Sequence, residues 1–175
     1  MKTNVALIGF MGTGKTAVGE VLAKKLRRKF VEMDLLIAQA AGKSIPEIFA
    51  QDGEIAFREL EIEVAKKIAG EKRLVIACGG GVVLNRINID RLKQEGIIAY
   101  LTATPGVILK RVSGDEGRPL LMTDDKALKI RELLSFRKPF YERAADITIN
   151  TSRLTIDTVA EQIISRLKEY ESFSF

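Results

Sequence analysis

The chain predicts an α/β fold in which a parallel sheet carries helices on both faces. Three observations predict it. Residues 9–16, Gly-Phe-Met-Gly-Thr-Gly-Lys-Thr, fit the phosphate-loop pattern G-x-x-x-x-G-K-[ST]. That stretch joins an all-apolar run at 5–8 to a segment where Val18, Val21, Leu22 and Leu26 recur at helical spacing. Short apolar runs then alternate with helical segments down the chain, the pattern of strand-helix-strand units.

Taken in order, residues 5–8 are apolar on both faces, as a strand inside a covered parallel sheet must be. Residues 30–33 predict a short second strand ending at Asp34, and 35–41 a helix stopped by Gly42. Ser44 followed by Pro46 and Glu47 is a capping-box pattern opening another helix, which Gly53 breaks. Ala56, Leu60, Val64 and Ile68 step by four along a longer helix. Residues 74–77 predict a third buried strand running into Gly79-Gly80-Gly81. Helices over 88–94 and 107–112 flank a fourth strand over 97–101. Residues 113–124 are polar and irregular, and a helix over 126–136 follows. A last strand over 147–149 makes five. Ile156, Val159, Ile163, Leu167 and Tyr170 define a closing amphipathic helix. Ligands of such sheets bind beyond the carboxyl ends of the strands. The phosphate loop, Asp34 and the triple glycine all follow strand ends, so one rim should gather them.

Composition narrows the function. The 175 residues suffice for one domain with a sizeable core, and 46% hydrophobic with 29% charged residues suits a soluble protein. The first strand begins at once, leaving no room for a signal peptide, and no apolar run is long enough to span a membrane. The single cysteine, Cys78, cannot form an internal disulfide, so a cytoplasmic protein is expected. Histidine is absent, leaving acid-base work to carboxylates, lysine or water. A net charge of +5 without a basic tail, and no interleaving of basic and aromatic residues, argue against nucleic acid as a partner. The core can use the whole apolar face of the closing helix, so a monomer is expected.

The phosphate loop has a direct physical reading. Its glycines let the backbone curl so that several N–H groups converge on an anion at a helix N-terminus. Lys15 would reach the β- and γ-phosphates and the Thr16 hydroxyl would hold Mg²⁺. The alternative is a glycine-rich turn without a ligand. No guanine-reading N-K-x-D is present, and the third strand ends in glycines rather than the acid of large ATP-driven machines. The size suits a small-molecule kinase in which 113–124 closes as a lid and excludes water. Asp34, with Glu32 two residues before it, either meets an acceptor hydroxyl and the metal or caps a helix at Leu35. Arg118 either stabilises the transferring phosphate or is solvated. Arg58 either binds substrate or pairs with Glu54 or Glu61 on the helix surface. Arg137 either binds substrate or marks a helix C-terminus.

Together these pieces resemble the shikimate kinase family over nearly the whole chain. The resemblance runs through 9–16, Phe-Val-Glu-Met-Asp at 30–34, Gly-Lys-Ser-Ile-Pro-Glu-Ile-Phe at 42–49 and Gly-Glu-Ile-Ala-Phe-Arg-Glu-Leu-Glu at 53–61. It continues through the triple glycine at 79–81, Arg-Pro-Leu-Leu at 118–121 and Arg-Lys-Pro-Phe-Tyr at 137–141. It implies a P-loop NTPase fold of the nucleoside-monophosphate-kinase type, a parallel five-stranded sheet with a mobile lid, as a single domain over 1–175. Substrate-binding helices would span about 34–70 and the lid about 113–124. The implied reaction moves the γ-phosphate of ATP to the 3-hydroxyl of shikimate, in aromatic amino-acid biosynthesis. ATP would be held by Gly12, Thr13, Gly14, Lys15, Thr16, Ala17, Arg111 and Arg118, with Arg111 stacked on adenine. Shikimate would be held by Asp34, Arg58, Gly79, Gly80, Gly81 and Arg137. Catalysis would fall to Lys15, Asp34 and Arg118, and Mg²⁺ to Thr16 directly and to Glu32 and Asp34 through water. The family usually has aspartate where this chain has Glu32, so a shifted water-mediated contact is expected there. Two rival readings are a gluconate kinase, which shares the architecture, and a nucleotide-binding module without turnover.

Overall fold

The computed structural model describes residues 1–113, 119–121 and 123–175. Five parallel strands form one sheet: β1 (Asn4–Ile8), β2 (Lys29–Glu32), β3 (Leu74–Ala77), β4 (Gly96–Thr102) and β5 (Ile147–Asn150). Their spatial order is β2-β3-β1-β4-β5, and Val5 of β1 stands opposite Val75 on one side and Ile97 on the other. The chain leaves β1 for β2, returns to β3, then crosses β1 to reach β4. That reversal places a crevice at the end of β1.

Alternation along β1 divides the interior. Val5 and Leu7 face α1 (Lys15–Leu26) and α8 (Ile156–Leu167), packing with Leu22 and Ile163. Ala6 and Ile8 face the other layer, which holds Met33, Ile37, Phe57, Val64 and Tyr141. That second layer contains α2 (Met33–Ala41), α3 (Ile45–Gln51), α4 (Gly53–Ala69), α5 (Arg86–Glu95), α6 (Pro105–Val112) and α7 (Lys126–Ala144). Both faces of the sheet centre are covered, so β1, β3 and β4 are almost wholly buried and apolar, while the edge strands β2 and β5 carry Lys29, Glu32, Thr148 and Asn150.

Local chemistry accounts for the helix starts. Ser44 accepts from the Glu47 amide while the Glu47 carboxylate accepts from the Ser44 amide, the capping box expected for α3. The Thr104 and Thr155 hydroxyls cap α6 and α8 in the same sense. Three expectations are corrected. The second helix begins at Met33, not Leu35, so Asp34 lies inside its first turn and not at its N-cap position, which Glu32 occupies. The buried stripe of α4 is Phe57, Glu61, Val64, Ala65 and Ile68, rotated from the predicted Ala56 and Leu60. Helix α7 does not end at 136 but continues through Pro139 to Ala144. Proline removes one helical hydrogen bond, and the burial of Arg137, Tyr141 and Ala144 along one side of α7 outweighs it. Of the expected lid, 113–124, only residue 113, a short 3₁₀ turn at Pro119–Leu121 and residues 123–124 are described; Arg118 lies outside the described residues.

Candidate active site

A cavity of about 480 Å³ opens at the carboxyl ends of β1, β2 and β3. Gly12, Gly14, Lys15, Thr16 and Ala17 form one wall, and Glu32 and Asp34 line it beyond β2. Arg58 and Glu61 reach it from α4, Arg137 from α7, and Gly79, Gly80 and Gly81 from the loop after β3. Apolar contacts come from Met11, Ile45, Phe49 and Phe57.

The phosphate loop is built by backbone conformation. Gly12 and Gly14 have φ of +74° and +97°, the left-handed region that favours glycine. Gly14 is the N-cap of α1, so the first-turn amides of that helix stand at the cavity wall. The Lys15 ammonium donates to the carbonyls of Gly9 at 2.8 Å and Phe10 at 3.0 Å. The Thr16 hydroxyl donates to Glu32 Oε2 at 2.6 Å. Burial raises the Glu32 carboxyl above its ordinary pKa, and the Thr16 hydrogen bond partly offsets this.

Two predicted nucleotide residues lie off the cavity lining. Thr13 is buried, and its hydroxyl donates back to the Phe10 carbonyl. Arg111 is exposed and braces the loop from outside, donating to the Gly12 carbonyl at 3.1 Å and the Thr151 carbonyl at 3.0 Å. The Thr151 hydroxyl in turn donates to the Thr13 carbonyl at 2.9 Å. Thr151 was not foreseen, because the link between the loop after β5 and the phosphate loop exists only in the fold.

On the opposite wall, bare glycine backbone makes room for charge. A Cβ on Gly79 would stand 2.9 Å from Asp34 Oδ1 and 3.1 Å from Glu61 Oε2, so both carboxylates crowd against that glycine. A Cβ on Gly81 would overlap the Arg58 guanidinium. Arg58 pairs with Glu54 and Glu61 at 3.0 Å each, as one of its two sequence readings has it, and it also lines the cavity. Arg137 marks no helix end; it sits inside α7, 3% exposed.

Glu61 is the residue that the sequence reading passed over as a surface partner. It is 1% exposed and lines the cavity. Burial raises its carboxyl, while Arg58 and Arg137 pull it down and Asp34 pushes it up. An acid on the buried stripe of α4, three residues after an arginine, was the signal that could have found it.

The arrangement holds a polyphosphate seat on one side and, on the other, a carboxylate, two guanidinium groups and bare glycine amides. Guanidinium forks suit a carboxylate ligand, and the Asp34 carboxylate suits a hydroxyl. Among the described residues no group of three or more His, Cys, Asp or Glu could hold a metal by itself. Mg²⁺ keeps several waters and uses one or two carboxylates beside substrate phosphates. Thr16, Glu32 and Asp34 carry hard oxygens on the cavity wall that could face such an ion.

Fold and cavity define a P-loop kinase that acts on a small molecule. A family model described as shikimate kinase matches residues 11–168. A curated shikimate kinase of Thermodesulfovibrio yellowstonii is 50% identical over 171 residues, covering 98% of this chain and 96% of that one. One of Caldanaerobacter subterraneus subsp. tengcongensis is 49% identical, covering 92% and 94%. The solved shikimate kinase of Acinetobacter baumannii, in complex with shikimate, superposes with a TM-score of 0.94 at 37% identity, covering 98% of this chain and 96% of that chain. The chain belongs to the shikimate kinase family. A gluconokinase of Sinorhizobium meliloti, at 17% identity and a TM-score of 0.63 over 95% of this chain and 92% of that one, shares the fold alone.

Proposed function

We infer that the protein transfers the γ-phosphate of ATP to the 3-hydroxyl of shikimate, giving shikimate 3-phosphate and ADP. One observation carries this reading: Lys15, Asp34, Arg58 and Arg137, far apart in sequence, line a single cavity. The amides from Gly12 to Ala17 seat the phosphates, and the Lys15 ammonium moves from its two carbonyl partners to the β- and γ-oxygens. Thr13 supports this loop from within, while Arg111, braced on Thr151, offers its face to the adenine. Arg58 and Arg137 grip the shikimate carboxylate, and Gly79, Gly80 and Gly81 offer amides to the ring hydroxyls. Asp34 orients the acceptor hydroxyl and takes its proton as the phosphoryl group arrives. Arg118, from a lid at 113–124, adds charge beside the transferring group. Thr16 would hold Mg²⁺ directly, and Glu32 and Asp34 through water. When bound, the ion neutralises charge on the phosphate oxygens. We take residues 1–175 as one domain, with acceptor-binding helices over about 34–70, working as a cytoplasmic monomer.

A coupled ADP-release assay with shikimate and with gluconate tests the reading. Shikimate-dependent ADP formation is expected, with the product phosphorylated at O3 by NMR. Turnover of gluconate but not shikimate would overturn it. Asp34→Asn should keep fold and ATP binding while kcat falls by about 10²–10⁴; full activity would remove Asp34 from the chemistry.

A further inference from the structure

We propose that Tyr141 is a positioning residue for the acceptor half of the cavity. Its buried hydroxyl holds the Gly80 carbonyl beside the Arg137 guanidinium, and so keeps that guanidinium and the Gly81 N–H facing the acceptor. The inference rests on the reading of the site given above.

Tyr141 is fully buried, one helical turn after Arg137 on the same side of α7. A buried phenol needs a partner for its hydroxyl. This one donates to the Gly80 carbonyl, and the Arg137 charge acts on it from one helical turn away. Arg137 Nη1 stands 3.5 Å from where a Cβ on Gly80 would sit, so guanidinium, glycine and phenol form one cluster. The peptide is planar and trans. Holding the Gly80 carbonyl toward Tyr141 therefore turns the Gly81 N–H the opposite way. Glycine peptides rotate more freely than others, so this strip needs such a tether if its amides are to stay aimed at a ligand.

The tether is rigid. The Tyr141 ring stacks on Tyr100 with centroids 5.0 Å apart and planes at 16°. Burial raises the phenol further above its ordinary value, so the hydroxyl keeps its proton and remains a donor. Tyr141 does not line the cavity and touches no reacting atom. It acts through Arg137 and the glycine strip.

Tyr141→Phe deletes the hydroxyl and leaves the stacked ring in place; Tyr141→Met is a second hydroxyl-free variant should the first misfold. KM for shikimate and for ATP, kcat and the urea midpoint are measured for the full chain. We expect the shikimate KM to rise about tenfold while the ATP KM stays within about twofold. In the Arg137→Lys background the same change should cost much less, because both substitutions act on one contact. An unchanged shikimate KM, equal shifts in both KM values, full additivity with Arg137→Lys, or loss of the fold in both variants would each overturn the proposal. A parent enzyme that ignores shikimate would refute the function itself, an outcome distinct from all of these.

Discussion

Gly81 is bare because the Arg58 guanidinium fills the space where a Cβ would be. Arg58 is a flexible side chain, so Gly81→Ala should displace it rather than unfold the protein. The expected result is a rise of about tenfold in shikimate KM, the scale of one weakened charge-assisted hydrogen bond, with ATP KM unchanged. Equal effects on both substrates would show that the glycine serves the loop and not the arginine. Glu61 adds a pH signature. Its carboxyl is raised from an ordinary value of 4.5 by burial. As pH climbs above that value, the unfolded chain releases this proton before the native state does. The native state then binds more protons, and stability falls with rising pH across the interval. Glu61→Gln removes this contribution, so its urea midpoint should vary less from pH 4.5 toward neutrality than that of the parent. Parallel curves would contradict the assignment. The contrast with Asp34 and Arg58 shows what was legible here. Residue type and spacing reveal a group whose chemistry lies in its motif, whereas Glu61 matters because α4 turns it inward, and only the packed helix shows that.

Among the helices, α1 is fitted to the sheet by one residue. A Cβ on Gly19 would stand 2.5 Å from the Phe30 ring and 3.3 Å from Leu7. Glycine inside a helix sacrifices about 1 kcal/mol of propensity relative to alanine. Here that sacrifice lets α1 lie close on β1 and β2. Gly19→Ala should therefore lower stability, because overpacking of about 1–3 kcal/mol exceeds the propensity gained; a higher urea midpoint would contradict this. Helix α7 teaches the reverse lesson about reading elements. Arg137-Lys138-Pro139 looks like a stop because the residue before proline disfavours helix. Tertiary burial of Arg137 and Tyr141 overrides that local preference. The strands and the Ser44 cap of α3 were legible because their signals are local: short apolar runs, and a serine three residues before a glutamate. Where α7 ends and which face of α4 turns inward depend on neighbours distant in sequence.

At the scale of the whole molecule, the rim opposite the cavity is closed by Arg28. Its guanidinium donates to the carbonyls of Thr3 and Ser174 and lies 4.5 Å from the Phe173 ring centroid. Lys2 pairs with Phe173 beside it. Arg28→Met should destabilise the fold by about 2–4 kcal/mol, as two charge-assisted bonds to half-buried carbonyls are lost. Both KM values and kcat should stay near those of the parent, since the substitution lies at the far ends of the strands; a selective loss of activity would contradict that separation. The sheet has a further consequence. The helix that follows the phosphate loop packs into one apolar layer, while Asp34, Arg58 and Arg137 ride on helices of the other. The sheet is thus a partition between two separately adjustable halves. Acceptor preference is open to evolutionary change through α2, α4 and α7 without repacking the layer that carries α1 and α8.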